Sequence, residues 1–173
     1  ENQAKIKYNV TTNTRYLIDS ISIDVKSKDI DSLIRTNKRL SFLKQDENFS
    51  ITKLILERDR LVKLFKNNGI YDFQQRSISY NVLIDSSGIN KRIPLIISIK
   101  NPKEDSIYEI KKINDINIYV ETLDELSNIN SFTDSINYKG IKIFSKGNLN
   151  YSPKSLTEPI FYKKGENYSD EKK

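Results

Sequence analysis

The sequence predicts an α+β fold built from tandem strand–helix–helix–strand–strand units, the second of them incomplete. Three observations carry this. Apolar and polar residues alternate in short segments, as in Ile21, Ile23, Val25 and again in Ile78, Tyr80, Val82, Ile84, the period of half-buried strands. Between them lie two segments with helical spacing, Ile30–Leu33–Ile34 and the longer 51–68. Two landmarks then recur in the same order. Ile18, Ile21, Ile23 and Val25 return as Ile113, Ile116, Ile118 and Val120, and Leu43–Ser50 returns as Tyr162–Ser169. The first offset is 95 residues and the second 119, so the second copy carries an insertion of about 24 residues.

Each element can be justified in turn. Ala4, Ile6, Tyr8 and Val10 alternate with polar residues and read as the closing strand of a preceding unit, with a polar link to residue 14. The complete unit spans 15–102. Its first strand runs from about Tyr16 to Val25, and Ser27–Asp29 can start a helix. Ser50 is a suitable cap for the strongest helix, Ile51–Asn68, with Ile51, Leu54, Ile55, Leu61, Leu64 and Phe65 as its apolar stripe. Gly69 stops it. The run Glu57-Arg58-Asp59-Arg60 offers surface pairs, Glu57 with Arg60 and Asp59 with Lys63, and reads as a solvated face. Ile78–Ile84 forms the next strand. Ile93–Ile99 is apolar on both faces and so predicts a central strand, with Pro94 tolerable near its start. Two helices thus cover one face of a three-stranded mixed sheet, and Leu54, Leu61, Phe65, Ile21, Ile23, Val82, Ile97 and Ile99 form its core.

Residues 103–173 read as the beginning of the next unit. A strand is expected from about Ile107, then an inserted hairpin near 138–151 turning at Ser145-Lys146-Gly147-Asn148. The residues from Ser169 to Lys173 lack the helix they would cap, which predicts a poorly ordered end. The 173 residues contain no Met, so the chain reads as a mature or excised piece of a string of such units, and a missing signal segment is uninformative.

Composition narrows the chemistry. Cys, His, Met and Trp are absent and Gly numbers only 5. That removes thiol and imidazole catalysis, the common zinc and haem ligand sets and disulfides, and leaves no glycine-rich phosphate loop. No carboxylate pair or activated lysine stands out either, so no enzyme, no metal and no cofactor is expected. No apolar run approaches the ~18 residues of a membrane helix. Net charge is +6, but 22 Lys and 7 Arg are spread along the whole chain, a pattern of solvation rather than of a nucleic-acid patch. The 26 Ile, 10 Tyr and 7 Phe favour strands with a modest core.

A three-stranded sheet has edges, and an edge offers unpaired N–H and C=O groups to an extended peptide. If Ile93–Ile99 is central, the segment Ile78, Ser79, Tyr80, Asn81, Val82 and Ile84 is an edge, with no Lys inside it. Ser79 and Asn81 are expected to offer outward N–H groups. The competing expectation is that a neighbouring unit, or the loop after Gly69, covers this edge.

Several segments carry a family resemblance. Glu57-Arg58-Asp59-Arg60-Leu61 leads to Asn67-Asn68-Gly69-Ile70-Tyr71-Asp72-Phe73, and the strand 97–99 closes on Lys100-Asn101-Pro102. Thr133–Gly140 and Leu156–Phe161 add to it. Together they resemble the POTRA region of BamA/TamA-like outer-membrane assembly proteins (surface antigens) of Bacteroidetes, apart from Ile70 where an aromatic residue is commoner. The membrane barrel of those proteins is not in this sequence. The resemblance implies a periplasmic, non-catalytic module attached to the outer membrane through such a barrel. Its expected partners are unfolded outer-membrane proteins and accessory assembly (lipo)proteins, with no nucleic acid. A passive spacer between barrel and partners is the alternative, and a basic nucleic-acid-binding module a more distant one.

Overall fold

The computed structural model describes residues 6–9, 15–84, 90–121 and 132–173. Strand β1 (Leu17–Val25) is followed by helix α1 (Lys28–Thr36), a 3-10 turn at Lys38–Leu40 and helix α2 (Ile51–Asn67). Strands β2 (Ile78–Val82) and β3 (Arg92–Ile99) complete a sheet ordered β1-β3-β2. β3 pairs parallel with β1 and antiparallel with β2. The two-faced strand is therefore central, as its composition predicts. A bulge between Ile18 and Ser20 explains why Ile18 and Ile21, three apart, both face the helices.

The core forms where the helices meet this sheet. Leu61, Phe65, Ile97 and Ile99 are buried, while Leu54, Ile21, Ile23 and Val82 pack against them half-buried. Ser27 caps α1, its hydroxyl accepting from the Ile30 N–H. Ser50 stands at the start of α2 in extended conformation without a side-chain cap bond.

The buried face of α2 differs from the one its periodicity suggests. Ile51 and Ile55 are exposed, and Glu57 takes a core position at 2% exposure. Its carboxylate accepts from Ser41 Oγ (3.0 Å), the Phe42 N–H (2.9 Å) and Arg60 through Nε (2.9 Å) and a second guanidinium nitrogen (2.6 Å). The pairing with Arg60 was legible from spacing; the burial was not, because residues 41–42 close over it. Asp59 does not pair with Lys63 but accepts from Gln75 Nε2 (3.1 Å).

The core also takes in residues beyond 102. Tyr108 is 2% exposed, its ring 4.8 Å from Phe73 and its hydroxyl 2.8 Å from Ser77 Oγ. Ser27 Oγ donates to its carbonyl (2.5 Å), and the Ile110 N–H donates to Asp29 (2.9 Å). Gly69, at φ +102°, leaves room for Ile110: a Cβ there would lie 2.6 Å from Ile110 Cγ2. The Lys111 N–H donates to the Gly69 carbonyl (2.9 Å). The connecting segment is clamped to the first sheet's helices.

A second sheet is ordered β4-β6-β5, from β4 (Asn117–Val120), β5 (Asp134–Tyr138) and β6 (Ile141–Ser145), followed by a short helix α3 (Pro153–Thr157). The strand expected from Ile107 begins at Asn117, since residues 107–111 are spent on the clamp. The hairpin turns at Lys139-Gly140, with φ of +52° and +83°, a two-residue turn of the primed type. Ser145-Lys146-Gly147-Asn148, the turn the sequence suggests, instead follows β6, where the Gly147 N–H donates to Thr133 Oγ1 (3.1 Å).

The sequence repeat is a structural one. Ile18 donates to the Glu47 carbonyl and accepts from Asp46, while Phe49 donates to Tyr16; Ile113 donates to Glu166 and accepts from Gly165, while Tyr168 donates to Lys111. Asp46 and Gly165 both have positive φ. Ser50 (φ −148°, ψ 126°) and Ser169 (φ −143°, ψ 125°) have the same conformation, each preceding a helical turn.

Residues 169–173 are not loose. Asp170–Lys172 forms a 3-10 turn, and Glu171 donates its N–H to Asn67 Oδ1 (3.1 Å) and accepts from Asn67 Nδ2 (2.7 Å). Tyr168 meets Tyr71 edge-on at 5.9 Å. The expectation of disorder failed because it ignored this contact with the end of α2. Residues 6–9 carry no strand ladder, with Ile6 73% and Tyr8 83% exposed; Ala4 and Val10 lie outside the described residues.

Candidate functional site

β2 is an edge strand, and the hydrogen bonds on either side fix its direction. Lys100 donates its N–H to the Ser77 carbonyl (2.9 Å) and Leu83 donates to the Pro94 carbonyl (3.4 Å). In an antiparallel pair, bonding alternates along the strand. Residues 77, 79, 81 and 83 therefore face β3, and 78, 80 and 82 face away.

This corrects one expectation. The Ser79 and Asn81 side chains do point away from the helices, towards Ser98, but their N–H groups belong to the β3 ladder. Side-chain direction and amide direction are separate properties of a strand, and sequence alternation reports only the first. Ile78 spends its N–H on the Gln75 carbonyl. Tyr80 and Val82 are the residues whose N–H and C=O groups face outward. Ile84 lies beyond β2 and is 60% exposed, next to Leu83 at 63%.

Among the described residues nothing bonds this outer edge at Tyr80 and Val82. The loop after Gly69 is occupied elsewhere: Ile70 and Phe73 are buried, and Phe65 meets Phe73 at 4.7 Å. The far edge of β1, by contrast, is taken at its start by residues 46–49.

A side-chain feature borders the open edge. The Arg58 guanidinium lies over the Tyr80 ring, 5.2 Å from its centre. Burial, and then the charge of Glu57, push the Tyr80 phenol well above its ordinary value. Arg58 Nε and the Tyr80 hydroxyl are both buried without a hydrogen-bond partner. Reading 57–60 as a solvated face missed this pair. An arginine one residue from a buried helix position and an aromatic on a predicted edge were the available signals, but no short-range spacing connects them.

Among the described residues, no three acidic groups gather where a metal ion could sit. No described helix is long and apolar enough to cross a membrane.

No protein-family model matches the sequence, and no curated protein matches it. Solved structures with similarity include POTRA domains 3–5 of BamA from Haemophilus influenzae, with a TM-score of 0.44 and 9% identity over 91% of this chain and 82% of that one. POTRA domains 1–2 of the periplasmic domain of Omp85 from Anabaena give a TM-score of 0.37 at 8% identity, covering 91% of this chain and 72% of that one. CdiB from Escherichia coli gives 0.25 at 12% identity, covering 87% of this chain and 30% of that one.

Proposed function

We propose that this chain is a non-catalytic, POTRA-type periplasmic module of a machine that inserts or exports outer-membrane proteins. In this reading 15–102 is one complete unit, 103–173 begins the next with an inserted hairpin, and a barrel elsewhere in the protein provides the membrane attachment. The module binds extended segments of client or accessory proteins by adding a strand to β2. One observation carries the binding reading: Tyr80 and Val82 present unpaired backbone groups on an edge with no lysine to guard it. The resemblance of 57–73 and 97–102 to the family supplies the setting.

The test separates backbone from side chain. Val82→Pro removes an outward donor that the β3 ladder does not use, a position where an edge strand tolerates proline. It should abolish crosslinking of an unfolded outer-membrane β-barrel fragment to this strand, while Val82→Ala keeps it. Equal behaviour of the two variants, with circular dichroism unchanged, removes β2 as the recognition edge.

A second reading, a rigid spacer, is favoured by the clamp at Tyr108 and Gly69 and by the Asn67–Glu171 contact. It predicts that Val82→Pro is silent while loosening the clamp is not.

A further inference from the structure

The open edge of β2 has a charged group beside it with no counter-charge. Within 57–60, Glu57 is held by Arg60 and Asp59 accepts from Gln75. Arg58 makes no ion pair among the described residues; its guanidinium rests on the Tyr80 ring. Its Nε–H and the Tyr80 O–H are buried donors without acceptors, and leaving such groups unmatched is costly. Tyr80 is also a residue whose backbone faces outward. A strand added there sets a side chain directly opposite Tyr80 on the helix-facing side, with Cβ atoms ~4.5–5.5 Å apart. That side chain falls on the same face of the sheet as the Arg58 guanidinium over the Tyr80 ring.

We propose that Arg58 and Tyr80 form a subsite for a carboxylate, an Asp or Glu side chain on the extended segment that pairs with β2. The inference rests on the edge-pairing reading above and adds to it a side-chain preference. A carboxylate is acceptor-only and suits two unmatched donors, and guanidinium binds it as a planar fork. An amide of the same shape would bring its own N–H₂ against those donors. Of the two nearby acids, Glu57 is ion-paired with Arg60, and Asp59 is exposed and held at Gln75. Backbone pairing alone leaves a bound strand free to slip by two residues; one acid at this subsite would fix its register.

The probes are two end-blocked, fluorescein-labelled ten-residue peptides of alternating Val and Thr that differ only in a central Glu or Gln. Anisotropy titrations with the whole chain at low salt should show the Glu peptide binding about tenfold more tightly. The gap should narrow in high salt. Arg58→Gln should erase the preference, Arg58→Lys should keep part of it, and Val82→Pro should weaken both peptides. If Arg58→Gln fails to fold, Tyr80→Phe serves: it keeps the ring, removes the donor and should shrink the preference without weakening the Gln peptide. Equal affinity for both peptides, with Val82→Pro still weakening both, overturns the carboxylate subsite and leaves edge pairing standing. Binding of neither peptide, or binding indifferent to Val82→Pro, overturns both.

Discussion

Glu57 ties α2, on which it and its partner Arg60 both sit, to Ser41 and the backbone of Phe42 after the 3-10 turn. Breaking a buried pair by removing one partner strands the other. Glu57→Ala should therefore lower stability by ~3–5 kcal/mol in urea unfolding, a cost more typical of a core residue than of a surface acid. Leu61→Ala, one turn further along the same face, should cost ~2–5 kcal/mol, since Leu61 is fully buried. The sequence showed Leu61 and Phe65 as core because their spacing is local and apolar. It misassigned Glu57, because its burial depends on residues 41–42, which no periodicity links to α2. The Arg58–Tyr80 pair was hidden for the same reason.

At the level of elements, short-range signals and long-range pairing part company. The central position of β3 was legible from its two apolar faces, and the edge position of β2 followed. Which amides of β2 point outward was not, because that depends on register against β3. The turn at Lys139-Gly140 was passed over for a more polar tetrapeptide, because its first residue is a lysine and not the Asn, Asp or Gly usual at positive φ in such a turn. Gly140→Ala meets no neighbour within 4 Å, so its cost is conformational, about 1–2 kcal/mol. It should appear as faster amide exchange in β5 and β6 with β1–β3 unaffected. Gly69→Ala adds a clash to the same backbone cost, and should both destabilise the first sheet's core and raise exchange at Lys111.

For the whole molecule, the repeat was the most legible feature, and the backbone bonds at 16–18 and 111–113 show why: the same loop closes on the same strand in both places. What the repeat concealed was the connection. Tyr108 fills the first core rather than starting the second sheet, so Tyr108→Ala should destabilise β1–β3 and widen the spread of distances between spin labels at Lys53 and Lys142. The far end carries a carboxylate, Glu166, held by two donors. A hydrogen bond from Lys172, then one from the Lys163 N–H, holds the Glu166 carboxyl below its ordinary value of 4.5. A depressed carboxyl adds stability that is complete above that ordinary value and fades as pH falls through the lower folded one. Amide protection around 165–172 should therefore persist at pH 6 and weaken as pH falls below the ordinary value of 4.5, and Lys172→Ala should shrink this dependence to the part left by the Lys163 N–H.

The parallel pairing of β1 with β3 has a mechanical consequence. The described unit is entered at Leu17 and left at Ile99, which lie at opposite ends of two adjacent strands running the same way. Tension along the chain therefore slides β1 against β3 and strains their ladder bonds together, instead of opening them singly like a zipper. β4 and β6 are disposed in the same way. A chain strung from such units can carry load between its two ends, while the antiparallel edge strand of each sheet lies off the line of force.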